Sequence, residues 1–212
     1  MSVKFYLSSY KFGSPDNVVK FKTLVANTNK RAAYISNALD CFDDLERRQQ
    51  GEQEEINYLA GLGITAEVLD LRHYFGKIEE LKKILVNYDI FWVKGGNTFV
   101  LRQAMALSGL DVILKEFVKS DRPIIYAGYS AGVCVLSPTL KGLAIVDDPN
   151  QKPYGADRET IWEGLGLINY SIAPHYKSDH PESADVDKEI KQMIDNKMLF
   201  KALRDGEVII IE

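Results

Sequence analysis

Short runs of β-branched and aromatic residues alternate along the chain with longer segments whose apolar residues recur at helical spacing. This alternation is typical of parallel strands joined by crossover helices. The runs predict strands at Lys4–Ser8, Arg31–Ser36, Ile64–Asp70, Ile90–Val93, Pro123–Ala127, Leu143–Val146 and Ser171–Pro174, and a C-terminal hairpin from Leu199–Arg204 into Glu207–Ile211. The predicted helices are Leu45–Gly61, Ile78–Val86, Thr98–Leu107, Leu110–Lys119, Ser130–Leu136 and Glu182–Asn196. We expect an α/β fold of three layers, with a mostly parallel sheet between helices.

Length, composition and charge favour a single globular domain and argue against nucleic-acid-binding and membrane proteins. A length of 212 residues with 46% hydrophobic side chains suits one domain, 1–212. The 26 Lys and Arg against 30 Asp and Glu give a net charge of -4, and no basic cluster favours a nucleic-acid partner. No apolar run approaches the roughly 20 residues that a membrane span requires, and the polar start does not resemble a signal peptide. We therefore expect a soluble, cytoplasmic protein with no membrane partner.

A possible nucleophile lies in the pentapeptide Gly128-Tyr129-Ser130-Ala131-Gly132, which has the form G-x-S-x-G. The pentapeptide follows a predicted strand and precedes a predicted helix, as a nucleophile elbow requires. Glycines at both ends remove β-carbons that would collide in such a tight turn. The Ser130 hydroxyl would then lie beside a helix N-terminus, which favours developing negative charge. The alternative interpretation is an ordinary glycine-rich turn between strand and helix.

A serine nucleophile needs a base, and the chain has three histidines. His175 closes the apolar run Ile172-Ala173-Pro174, so it should emerge at the carboxyl end of a strand, where open α/β sheets place their sites. His180 lies in a loop, and His73 ends an earlier strand without an evident partner. Alternatively, His175 only caps its strand by bonding to backbone.

The residue pattern alone leaves the acidic partner of the histidine open. Asp147 and Asp148 precede His175 and give the order Ser, Asp, His of the α/β-hydrolases. Asp205 follows His175 and begins an Asp-Gly pair, which is also a common hairpin signal with no catalytic role.

A second glycine-rich turn joins a buried strand to a helix at Gly95-Gly96-Asn97-Thr98-Phe99. Two glycines at a strand end let backbone N–H groups face a cleft, which suits an oxyanion or a phosphate. The Gly-Lys-Ser/Thr ending of a Walker loop is missing, so a nucleotide site is not indicated.

Four segments together resemble the dipeptidase E and cyanophycinase-like serine peptidases. They are Gly95–Phe99, Tyr126–Gly132, Ile172–Tyr176 and Ala202–Gly206, in the family's order and spacing. The resemblance implies a flavodoxin-like or class I glutamine amidotransferase-like sheet. It also implies a triad of Ser130, His175 and Asp205, with oxyanion N–H groups from Gly96 and Ala131. Gly95 and Asn97 belong to the same oxyanion and substrate-binding turn.

The chain departs from the family pattern near the triad. Familiar members carry Glu where this chain has Asp205, and the nearby Glu182 is the alternative third member. The Gly-Glu-Thr-Arg stretch of aspartyl dipeptidases is replaced by residues 181–185, without arginine, which removes a basis for strict aspartate preference.

The sequence predicts a serine peptidase that hydrolyses short peptides, including those with N-terminal aspartate, through an acyl-enzyme. We expect no metal and no cofactor, and a monomer or homodimer. The alternative is a non-catalytic protein on the same scaffold that binds a small anion or peptide.

Overall fold

The structure is a computed structural model that describes residues 3–212. Six strands form its central sheet. The described residues form eight strands in all: β1 (Val3–Ser8), β2 (Arg31–Ile35), β3 (Thr65–Val68), β4 (Ile90–Val93), β5 (Ile124–Tyr129), β6 (Ser171–Ala173), β7 (Phe200–Ala202) and β8 (Val208–Ile211). The central sheet has the order β3-β2-β4-β5-β1-β8. All its neighbours pair in parallel except β1 and β8. The predicted mostly parallel sheet is therefore confirmed.

Helices cover both faces of this sheet. They are α1 (Pro15–Leu24), α2 (Leu45–Gly61), α3 (Ile78–Leu85), α4 (Thr98–Ser108), α5 (Leu110–Lys119), α6 (Ala131–Cys134) and α7 (Ser183–Asp195). Side chains of β4 alternate between the faces: Ile90 and Trp92 pack with residues of α1 and α2, while Phe91 and Val93 pack with residues of α3 to α7. This alternation buries both sides of the strand and gives the expected three layers. Among the described residues, no helix combines the length and apolarity needed to cross a membrane.

The C-terminal strand–turn–strand unit is present, with Asp205-Gly206 in its turn. The N–H of Glu207 donates to the carbonyl of Arg204 at 2.9 Å. The two strands pair with different partners: β7 lies parallel to β6 in a separate two-stranded sheet, and β8 lies antiparallel to β1. The turn therefore connects the small sheet to the large one.

One predicted strand, Leu143–Val146, is wrong. Lys141–Leu143 forms a 3₁₀ turn, and the N–H groups of Val146 and Asp147 both donate to the Leu143 carbonyl. The segment packs on α7, where a β-carbon on Gly142 would lie 2.6 Å from Met193. Local hydrogen bonds thus satisfy a backbone that has no neighbouring strand to pair with.

Helix α1 was not expected from the sequence. It carries a proline at its first turn and Asp16 near its N-terminus, both of which are typical helix-start signals. Only Phe21 and Leu24 of its side chains are buried, so its apolar period is too sparse to identify the helix.

Candidate active site

A cleft of about 760 Å³ opens where the carboxyl ends of β1, β4 and β5 meet the start of α2. Tyr10 follows β1, Gly95 and Gly96 follow β4, and Ser130 follows β5. The loop after β6 adds His175, His180 and Glu182 to the wall. Because the strands are parallel, their carboxyl ends gather side chains from distant parts of the sequence at one edge.

Ser130 lies at a strained turn between β5 and α6. Its φ of 49° and ψ of -123° are unusual for a residue with a β-carbon. The neighbouring glycines allow this turn, since β-carbons at Gly128 and Gly132 would lie 2.4 and 2.2 Å from the carbonyl oxygen of Val93. The structure therefore gives the G-x-S-x-G segment the form of a nucleophile elbow. Among the described residues, the Ser130 hydroxyl makes no hydrogen bond.

The turn after β4 brings a second backbone segment beside Ser130. Gly96 has a φ of 144°, and a β-carbon there would lie 2.6 Å from the carbonyl oxygen of Ala38. Asn97 donates its own N–H to that oxygen at 2.9 Å, which fixes the turn. Within residues 3–212, the N–H groups of Gly96 and Ala131 have no acceptor, so both are available to a ligand.

Asn97 and Gly95 have different surroundings. The Asn97 side chain caps α4 by accepting the N–H of Val100 at 3.0 Å and donates to the Asp148 carbonyl at 2.9 Å. Both ends of the amide are thus occupied, and Asn97 holds the turn rather than facing the cleft. Gly95 lines the cleft, and a β-carbon on it would lie 2.9 Å from the Tyr129 ring.

His175 and Asp205 form a close pair at the ends of β6 and β7. The Nδ1–H of His175 donates to Asp205 Oδ1 at 2.7 Å. The imidazole is buried, with a 1% exposed side chain, and the residue has a φ of 61°. Burial lowers the pKa of His175, and the hydrogen bond to Asp205 acts in the opposite direction. A neutral imidazole with its Nδ1 proton held by a carboxylate has Nε2 free to accept a proton.

Ser9, which sequence reasoning missed, joins this pair to the central sheet. Its hydroxyl donates to Asp205 Oδ1 at 2.8 Å and accepts the backbone N–H of His175 at 2.8 Å. Ser9 follows β1 directly, at the same sheet edge as the other site residues. Its place after a predicted strand puts Ser9 at this edge, but no motif in the sequence indicates its partners.

The other carboxylates predicted as alternatives lie elsewhere. Glu182 Oε2 is 4.0 Å from Nε2 of His175, on the side of the ring opposite Asp205. Asp147 accepts the N–H of Thr98 at the start of α4, and burial raises its pKa to about 7. Asp148 accepts the N–H of Asn150. No described hydrogen bond connects Asp147 or Asp148 with His175.

The floor of the cleft contains a buried carboxylate on α2. Glu55 accepts hydrogen bonds from Lys94 Nζ and the Tyr129 hydroxyl, each at 2.7 Å, and from Trp92 Nε1 at 3.2 Å. Residues 40–57, which include Glu55, are dense in charge, and this sequence pattern alone suggests a solvent-exposed helix face. In the structure, Arg47 of the same helix lines the cleft. This side of α2 therefore belongs to the candidate site.

Together these groups supply the parts that acyl transfer needs, and in the described structure no hydrogen bond joins the Ser130 hydroxyl to His175. A serine at a strained turn, two free N–H groups beside it and an imidazole oriented by a carboxylate can supply a nucleophile, an oxyanion site and a base.

Known proteins resemble this chain in sequence and in fold. The "Uncharacterized peptidase Lmo0363" of Listeria monocytogenes is 30% identical over 120 residues, which cover 57% of this chain and 55% of that protein. "Peptidase E" of Streptomyces coelicolor is 29% identical over 190 residues, which cover 86% of this chain and 68% of that protein. The crystal structure of a "Putative Peptidase E Protein" from Listeria monocytogenes shares the fold, with a TM-score of 0.73 at 23% identity, covering 99% of this chain and 98% of that one. Residues 10–212 match the model of peptidase family S51, and the chain therefore belongs to that family.

Proposed function

We propose that the protein is a serine peptidase that hydrolyses short peptides through an acyl-enzyme. Ser130 attacks the scissile carbonyl while His175 takes its proton and later returns it to the leaving amine. Asp205 holds the imidazole in the required tautomer and stabilises its protonated form. The N–H groups of Gly96 and Ala131 stabilise the oxyanion. The observation that carries the proposal is the 2.7 Å bond between His175 and Asp205 in the cleft that also holds the Ser130 elbow.

The cleft supports a small peptide substrate. Its volume of about 760 Å³ lies in the range of small-molecule sites. Lys11 and Arg47 line it, and neither forms an ion pair with a described residue, while Asp43 and Glu182 contribute negative charge. A wall with both signs of charge suits a peptide whose two termini are both charged. The free cations also leave a place for an N-terminal aspartate side chain, although the arginine of the Gly-Glu-Thr-Arg stretch is missing.

The proposal is tested with a panel of dipeptides that differ in the N-terminal residue. Wild type should cleave at least part of the panel, and Ser130→Ala and His175→Ala should each lower turnover by at least roughly a thousandfold, because triad members act as a unit. Circular dichroism should show that both variants remain folded. A Ser130→Ala variant that kept most of its activity would exclude the mechanism.

A phosphonate probe separates this proposal from the alternative of a non-catalytic binding protein. An activated Ser130 should be labelled in wild type and lose its labelling in His175→Ala. Peptide binding without labelling or turnover would instead support the non-catalytic function.

A further inference from the structure

Three side chains around the Nε2 atom of His175 could hold a metal ion. One ligand atom from each of His175, His180 and Glu182 lies within 4.8 Å of the others. Glu182 Oε2 is 4.0 Å from His175 Nε2 and 3.9 Å from His180 Nδ1. Tetrahedral zinc with bonds of about 2.0–2.1 Å separates its ligand atoms by about 3.4 Å. The two pairs that include Glu182 therefore need to contract by roughly half an ångström each.

His175 is already oriented as a metal ligand. Its Nδ1–H donates to Asp205, so the lone pair of Nε2 is free, and Glu182 Oε2 lies 4.0 Å from that atom. A histidine that binds a metal commonly donates its other ring N–H to a carboxylate in this way.

His180 is the ligand that must move. Its ring stacks on that of His175, with centroids 3.7 Å apart and planes at 7°. Because imidazole binds a metal in its own plane, two stacked rings cannot both reach one ion until one turns. His180 lies in the loop between β6 and α7, its side chain is 19% exposed, and its Nδ1 accepts one 3.3 Å bond from the Glu182 N–H. Rotation of His180 therefore breaks one long hydrogen bond and its ring contacts with His175 and Tyr10.

We propose that His175, His180 and Glu182 bind a zinc-class transition metal ion, with a fourth position open to the cleft. Two imidazoles and one carboxylate suit Zn²⁺, whereas Mg²⁺ and Ca²⁺ prefer oxygen ligands alone. The carboxylate groups of Glu182 and Asp205 both lie within 4.0 Å of a ring nitrogen of His175 and complement the charge of the dication.

The ion acts as a reversible inhibitor, and this part rests on the proposed function. Zn²⁺ occupies the Nε2 lone pair of His175, the atom that accepts the Ser130 proton. The imidazole cannot bind the metal and accept that proton at the same atom. Removal of the ion restores the free base.

Binding is tested by calorimetric titration of Zn²⁺ into the full chain. Wild type should bind one ion, and His180→Gln and Glu182→Gln should each weaken binding at least about tenfold. His73→Gln is the matched control, because it removes an exposed histidine outside the cluster and should change nothing. Mg²⁺ should not compete. Equal affinities in wild type and His180→Gln, or no zinc binding by wild type, would overturn the site.

Inhibition is tested separately with the dipeptide assay. Zn²⁺ should stop wild-type turnover, a chelator should restore it, and His180→Gln should need at least about tenfold more Zn²⁺ for half inhibition, each variant being compared with its own metal-free rate. Zinc binding without loss of turnover would overturn the inhibitory role. If no dipeptide is cleaved in the absence of zinc, the proposed function fails, while calorimetry still decides the metal site.

Discussion

Asp205 and Glu182 face different nitrogens of the same imidazole, and this decides which carboxylate orients His175. Asp205 accepts the Nδ1 proton at 2.7 Å, whereas Glu182 lies 4.0 Å from Nε2, the atom that must remain free for proton transfer. We predict that Asp205→Asn lowers kcat/KM roughly a thousandfold or more, because the amide does not stabilise protonated His175. The melting temperature should change little, since Asn-Gly suits the same turn.

Glu182→Gln is the matched control for this prediction. It should keep kcat within about tenfold of wild type, because its carboxylate does not hold the Nδ1 proton. Any larger change should fall on KM, since Glu182 lines the cleft. Full activity in Asp205→Asn together with loss in Glu182→Gln would assign the third role to Glu182.

We predict that Ser9 is a positioning residue for the His175–Asp205 pair, since it is buried and does not line the cleft. Its hydroxyl bonds to both residues, so Ser9→Ala leaves the His175 N–H without an acceptor and removes one donor from Asp205. We expect kcat to fall about tenfold to a hundredfold, the equivalent of about 1–3 kcal/mol, with KM nearly unchanged. Ser8→Ala is the control, since the buried Ser8 hydroxyl donates only to the Tyr10 carbonyl. A similar fall in both variants, or a rise in KM alone, would contradict the positioning role.

Sequence motifs predicted the residues whose backbone conformation depends on the residues next to them in the chain. Ser130 stands between glycines that the turn requires, and Gly96 stands in a glycine pair after a strand. Ser9 has no such context, because nothing in Ser8-Ser9-Tyr10 shows that a loop almost two hundred residues later returns to it. Contacts of this kind depend on the fold and cannot be found from local pattern.

At the scale of elements, α7 carries an acidic residue into the interior. Glu189 is 1% exposed and its Oε1 atom has no hydrogen-bond partner in the described structure. Burial raises its pKa to about 9, and Asp147 and Glu182 act in the same direction. The buried Cys134 thiol on α6, whose pKa is also raised, belongs to the same group of coupled side chains.

The raised pKa predicts how stability depends on pH. Folding favours the protonated Glu189, so its contribution is fully present below the ordinary pKa of about 4.5 and is lost as pH rises toward 9. Glu189→Gln should therefore raise the melting temperature at pH 8 by about 2–4 °C for each kcal/mol recovered, with a much smaller gain near pH 4.5.

Thermal melts from pH 4.5 to 8 provide the measurement for Glu189→Gln. Asp187→Asn is the control, because it removes an exposed carboxylate from the same helix. A gain that is independent of pH, or equal in both variants, would exclude buried charge as its cause.

Elements were predictable where the apolar period was strong. Four of the parallel strands and α5 match the sequence closely, because each buries a regular set of side chains. Residues 143–146 are as apolar as a strand, but no strand of the described structure lies beside them. Whether such a segment forms a strand or a turn depends on whether a neighbouring strand is there to pair with it. The same applies to β7, whose partner is β6 rather than β8.

In the whole molecule, the candidate site spans two sheets. Ser130 and Gly96 follow strands of the six-stranded sheet, whereas His175 and Asp205 follow β6 and β7 of the two-stranded sheet. The hydroxyl of Ser9 and the Asp205-Gly206 turn connect the two. The proposed nucleophile Ser130 and the proposed base His175 therefore keep their relative positions only while the small sheet remains docked on the large one.

This arrangement predicts that activity is lost before the core unfolds. β4 and β5 lie in the middle of the large sheet with every side chain buried, while β7 is a three-residue strand with partly exposed side chains. Regions with few buried contacts open at lower free energy than the core. Turnover should therefore decline at a lower urea concentration than the fluorescence of Trp92, which is fully buried on β4.

The experiment uses a Trp162→Phe background, so that Trp92 is the remaining tryptophan, and saturating substrate, so that competition by urea does not mimic the loss. Coincident midpoints would mean that the two sheets unfold as one unit and that the base is as firmly placed as the nucleophile.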